Sequence, residues 1–124
     1  MTRNNLAEMT VDQLVVHFTS IALDQDNAIR NSDYKKYNRL YDQMEAVREE
    51  LKTRAGDQRQ ALVPLFDHPN AQVRLKAAIT TLEVAPEASR QVFQILSDRN
   101  EYPQAADARG WLHHIDGDYR ALKQ

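Results

Sequence analysis

The 124-residue sequence predicts an all-α fold of six main helices in one domain, on three observations. Only 3 Gly and 4 Pro supply turn material, while Ala, Leu, Arg, Glu and Gln, all good helix formers, are abundant. Apolar residues recur three and four positions apart through most of the chain. Capping residues stand between these periodic segments, and Pro86 and Pro103 fall where a first helical turn tolerates them.

Thr10 and Gln13 have the spacing of a capping box, and Val11, Leu14, Val15, Phe18, Ile21, Ala22 and Ile29 follow at helical spacing to about Asn31. Val16 and Leu23 fall on the opposite face. Ser32 or Asp33 can cap a second helix, whose single stripe is Tyr34, Tyr37, Leu40, Tyr41, Met44, Val47 and Leu51. Its outer face is charged and includes the close pair Glu50 and Arg54. Gly56 ends it, and Asp57 can cap a third helix, "QRQALVPLF", which Pro64 should bend.

Asn70 can cap a fourth helix with Val73, Ala77 and Val84 on one side and Leu75, Ala78, Ile79 and Leu82 on the other. Lys76, Thr80 and Glu83 remain as a narrow polar strip. A helix apolar on two faces packs between neighbours, so this one is expected at the centre of the fold and the one-striped second helix at its edge. Pro86 opens a fifth helix with Ala88, Val92, Phe93, Ile95 and Leu96, and Pro103 a sixth with Ala105, Ala108, Trp111, Leu112 and Ile115. Gly117 is expected to stop the sixth helix, leaving "DYRALKQ" as a short helical tail or frayed end. The result is three consecutive helical pairs, 11–54, 57–84 and 86–116, close to the period of HEAT or armadillo units.

"LVPLFDHPNAQVRLKAAITTL" resembles a HEAT repeat: a leucine-proline-leucine first helix, a turn with Asp and Pro, and a second helix opening Val-Arg and running through Ala to Leu. The resemblance implies a right-handed α-α superhelix of about three HEAT-like hairpins. It also implies that Val73, Ala77 and Leu82 are core and that Asp67 and Arg74 are structural polar groups, Arg74 bracing the turn. The segments "DYKKYNRLYDQMEAVREEL", "LFDHPNAQVRLKAAITTLEVAPE" and "YPQAADA" are similar to those of a family of short bacterial helical proteins that carries only an unknown-function label. That wider likeness covers most of residues 11 to 117. The third pair departs from the repeat pattern at "RNEYPQAADARG", where a second Val-Arg opening would stand.

Sixteen Lys plus Arg against 18 Asp plus Glu give a net charge of −2, which argues against a nucleic-acid partner. The absence of Cys excludes disulfides and thiolate metal sites and fits a reducing compartment. The early sequence has no apolar core of signal-peptide length and no segment approaches a membrane span, so the expectation is a cytoplasmic protein without membrane attachment.

Reactive constellations are hard to find. His113 and His114 are adjacent and so point about 100° apart on a helix, which denies them a shared ion, and both lie off the apolar stripe. His17 lies toward the polar side of the first helix and His68 in the repeat turn. "DQDNAIRNSD" imitates a calcium loop, but Ala28 stands where a third oxygen ligand belongs and no Gly follows. Neither metal nor cofactor is expected, nor a catalytic residue.

The sequence therefore points to a non-enzymatic module that binds another protein, in one form an immunity-type or regulatory protein. The competing reading is an enzyme or ligand carrier on the same scaffold, such as a DNA glycosylase-like or pigment lyase-like protein. Arg39, Arg48, Lys76 and Arg109 interleaved with Asp42, Glu45, Glu83 and Asp107 speak against the glycosylase. Candidate partner-binding residues are Lys76, Thr80, Glu83, Tyr102, Gln104 and Asp107. Val16 and Leu23 are a candidate apolar contact, for a partner or a second copy, or else a cover for Leu6 and Met9. Tyr34, Tyr37 and Tyr41 share a face, either as rings packed on the first helix or as binding anchors.

Overall fold

The computed structural model describes the backbone of residues 3–123 and the side chains of residues 5–117. It is all-helical, with helices α1 (Arg3–Leu6), α2 (Val11–Arg30), α3 (Tyr34–Thr53), α4 (Ala71–Thr81), α5 (Pro86–Asp98) and α6 (Gln104–Lys123), and a 3-10 segment, Gln58–Asp67, between α3 and α4.

The capping box opens α2 as its sequence requires: Thr10 Oγ1 accepts from the Gln13 amide at 3.1 Å, and Gln13 Oε1 accepts from the Thr10 amide at 2.9 Å. Asp33, rather than Ser32, caps α3 by accepting from the Lys36 amide. Gly56, with φ +80, turns the chain after α3 in the left-handed region where a Cβ is strained. Here the expected third helix becomes a 3-10 segment. Pro64 has no amide hydrogen to donate and its ring crowds the preceding turn, which a continuous α-helix would not accommodate.

Asn70 then caps α4, its Oδ1 accepting from the amides of Gln72 and Val73 at 2.9 and 3.1 Å, while its Nδ2 donates to Asp26 on α2. We expect Asn70→Ala to lower stability by about 1 kcal/mol, the usual worth of an N-cap, measured by urea denaturation. Pro86 sits in the first turn of α5. The sixth helix begins one residue after Pro103 and does not stop at Gly117. A mid-helix Gly weakens a helix by about 1 kcal/mol against Ala, a preference that does not force termination. The "DYRALK" residues thus continue α6, and Gln124 lies outside the described residues.

α2 pairs with α3, the 3-10 segment with α4, and α5 with α6. α4 touches α2, the 3-10 segment, α5 and α6, the central position that its two apolar faces require. One of those faces, Val73 and Ala77, joins Leu14, Phe18, Ile21, Leu40, Met44, Val47, Leu51 and Leu62 in one core. The other, Leu75 and Ala78, joins Val92, Phe93, Leu96 and Ala108 in a second. Val84, expected on α4, lies past its end and is half-buried. Leu6 is buried in the first core, and its carbonyl accepts from Arg54, which also holds Glu50 at 2.9 Å.

Candidate functional site

The α4 strip is not the open polar surface that its composition suggests. Lys76 and Thr80 retain only 9% and 5% of their exposure. The Lys76 ammonium lies 5.7 and 5.3 Å from the ring centroids of Tyr37 and Tyr41, within cation-π range, so the α3 rings cover what polarity alone would give to solvent. Of the three tyrosines, Tyr37 packs against the first core, while Tyr34 and Tyr41 stay exposed. The stripe is therefore core only in part.

Gln104, also expected on the binding face, is buried. Its Nε2 donates to Gln72 Oε1 at 2.9 Å, and Gln72 Nε2 donates to Gln25 Oε1 at 3.0 Å. These three buried amides link α6, α4 and α2 across both cores. Gln25 Nε2, at the far end, has no hydrogen-bond partner. This ladder was missed in the sequence, yet a signal existed: Gln25 stands four residues after Ile21 and seven after Phe18, on the buried row of α2.

Glu83 is exposed but committed. Arg59, 3% exposed, reaches it at 2.9 Å and grips Asp57 through two parallel bonds of 3.0 and 2.7 Å. Hydrogen bonds from Arg59 hold both carboxyls below the usual carboxylate range, and donating to Asp57 raises the pKa of the Arg59 guanidinium. Arg48 adds longer contacts to Glu45, Glu49 and Glu83. This clamp joins the 3-10 segment to the end of α4 and α3.

Arg74 braces the turn before α4, donating to the Pro69 carbonyl, and its guanidinium grips Glu101 at 2.8 and 2.7 Å. Asp67, assigned a structural role by the repeat resemblance, is instead exposed on the wall of a cleft of about 450 Å³ with Phe66, His68, Ile95 and Arg99. His68 Nδ1 accepts from the Asn70 amide. The Arg74 hydrogen bonds lower the Glu101 carboxyl. A carboxyl lowered only in the folded chain adds stability above its unfolded pKa and loses it as the pH falls through the folded value. Thermal melts followed by circular dichroism should therefore fall between about pH 5 and pH 3, and less steeply in Arg74→Met.

Tyr102 is exposed, its hydroxyl accepting from Arg109, whose guanidinium also bonds Ser97 and Asn100 and lies 5.3 Å from the Tyr102 ring. Asp107 is exposed beside Ala106, Gly110, Trp111 and His114 on α6. His113 and His114 are both exposed, and the His114 ring meets Trp111 edge-on. Of the six polar candidates, Lys76, Thr80 and Gln104 are thus packing groups, Glu83 is a clamp, and Tyr102 and Asp107 remain on the surface.

Val16 and Leu23 are exposed at 70% and 41%. Leu6 is buried in the first core, and Val16 borders an open groove of about 670 Å³ with Glu8, Met9, Asp12, His17 and Ser20. The alternation is local: Leu14, Phe18, Ile21, Gln25 and Ala28 face inward, and Asp12, Val16, Ser20, Leu23 and Asn27 face solvent. Among the described residues, no helix is long and apolar enough to cross a membrane.

No curated protein matches this chain. Among solved structures, it is similar to the crystal structure of the protein RPA1889 from Rhodopseudomonas palustris CGA009, at 41% sequence identity and a TM-score of 0.89, over 90% of this chain and 93% of that one. The helical arrangement is thus shared with an experimentally determined fold. A family match spans residues 12–116, from the first turn of α2 into α6, and the chain belongs to that family, a domain of unknown function (DUF2019).

Proposed function

We propose that the chain is a non-enzymatic protein-protein interaction module, a short HEAT-like stack that presents the outer face of α2 to a protein partner in the cytoplasm. The observation that carries this reading is the bare apolar row of Val16 and Leu23 on a helix whose other face is wholly packed. The engaged polar groups of the interior support it indirectly. Arg59, Arg74, Lys76, Gln72 and Gln104 are engaged with structural partners inside the fold. A HEAT-like reading of the stack fits the central α4, the Asn70 cap and the Arg74 brace. An immunity-type protein, which neutralises a toxin by covering it, is one concrete form of such a module.

The test is co-purification of the untagged protein from its native cell beside Val16→Ser/Leu23→Ser. The expected result is a partner retained by the native chain and lost from the variant. A partner held equally by both would put the interface elsewhere. Clear salt-dependent binding of DNA in a titration would overturn the protein-binding reading itself.

A further inference from the structure

The α2 face has a definite electrostatic character. Glu8 and Asp12 line the groove beside Val16, and Asp24 follows Leu23 on the exposed side of the same helix. None of these three carboxylates has an ion-pair or hydrogen-bond partner among the described side chains. The cations of α2 do not answer them. Arg30 is held by Asp26 at 3.1 Å, and partial burial in the groove lowers the His17 pKa and favours its neutral form.

Val16 and Leu23 are seven residues apart, about 10.5 Å along the axis at the helical rise of about 1.5 Å per residue. Two apolar side chains at the same spacing on a second helix span the same distance, which is the geometry of helix-on-helix recognition. Laid against this face, a second copy of the same face would add carboxylates to Glu8, Asp12 and Asp24 and bring no unengaged α2 cation to meet them. A helix with basic flanks would instead meet a carboxylate beside each apolar contact.

From this juxtaposition we propose that the outer face of α2 is a docking groove for a basic amphipathic helix of a partner protein, its apolar side on Met9, Val16 and Leu23 and its Lys or Arg side chains at Glu8, Asp12 and Asp24. The proposal rests on the interaction-module reading and names the chemistry of the partner.

The probe is a fluorescent 18-residue peptide of Leu and Lys with apolar residues at helical heptad spacing, beside a counterpart with Glu in place of Lys, each titrated into the full-length protein and followed by anisotropy. The Lys peptide should bind saturably and weaken several-fold from about 50 to 300 mM salt, while the Glu peptide should not bind. Val16→Ser/Leu23→Ser, at exposed positions, should lose about tenfold in affinity with an unchanged circular dichroism spectrum. Glu8→Gln/Asp12→Asn should weaken binding and flatten its salt dependence, whereas Glu87→Gln, exposed on α5, should change neither.

Lys-peptide affinity equal in the native chain and the Ser variant would overturn the proposal, as would equal binding of both peptides. A dimer of the native chain in sedimentation, dissociated by the Ser substitutions, would make the occupant a second copy. If the native partner is lost from the Ser variant while the Lys peptide fails to bind, the interaction module stands and the basic-helix assignment falls.

Discussion

Gln72→Leu should destabilise the protein by about 2–6 kcal/mol, because it strands two buried partners, each costing roughly 1–3 kcal/mol when left without a hydrogen bond. Gln104 Nε2 loses its acceptor and Gln25 Oε1 its donor, both on side chains that keep at most 4% of their exposure. The triple variant Gln25→Leu/Gln72→Leu/Gln104→Leu should recover much of that loss. It removes every polar group of the ladder at once, including the Gln25 Nε2 that has no partner in the native chain. Urea denaturation of the single and triple variants decides the matter. A triple variant less stable than Gln72→Leu would mean that the ladder contributes more than the satisfaction of its own buried amides.

Phe93→Ala is the second large loss expected, at about 3–5 kcal/mol. Phe93 is fully buried in the core between α4, α5 and α6, with its ring stacked near Trp111 at a centroid distance of 6.0 Å and an interplanar angle of 11°. The substitution removes the ring's apolar burial and leaves a void in the core that Phe93 forms with Leu75, Leu96 and Ala108. Thermal unfolding should shift downward by roughly 10 °C or more, with Trp111 fluorescence reporting the change locally. A shift of only a degree or two would show that the second core collapses around the gap.

Much of this architecture was legible from residue type and spacing alone. Thr10 with Gln13, Asn70 before a doubly apolar run, and Pro86 at a helix start are local signals, and local chemistry satisfies them. The central place of α4 was readable because two apolar faces require two neighbours. Polarity was the poorer guide. Polarity alone places Lys76, Thr80 and Gln104 at a binding surface, but burial also depends on what the facing helix supplies, here tyrosine rings and a glutamine amide. Those partners stand 32 to 39 residues away in sequence, beyond the reach of periodicity, as is the 24-residue span from Arg59 to Glu83. The α2 face was visible as two apolar residues out of phase, while its vacant carboxylates emerged only once their neighbours were in place.

The turn before α4 has a consequence for how the molecule comes apart. Asn70 holds α2 through Asp26, and four residues later Arg74 holds the α5–α6 connection through Glu101. In a stack of hairpins joined only by nearest-neighbour packing, the ends open first and the middle outlasts them. Here one short segment fastens both flanking hairpins to the same helix, so an opening that frees either end must break a tie anchored at the centre. Slow amide exchange should therefore be spread over α2, α4 and α5 as a single protected block, with the protein behaving as one cooperative unit rather than as three modules that open in turn.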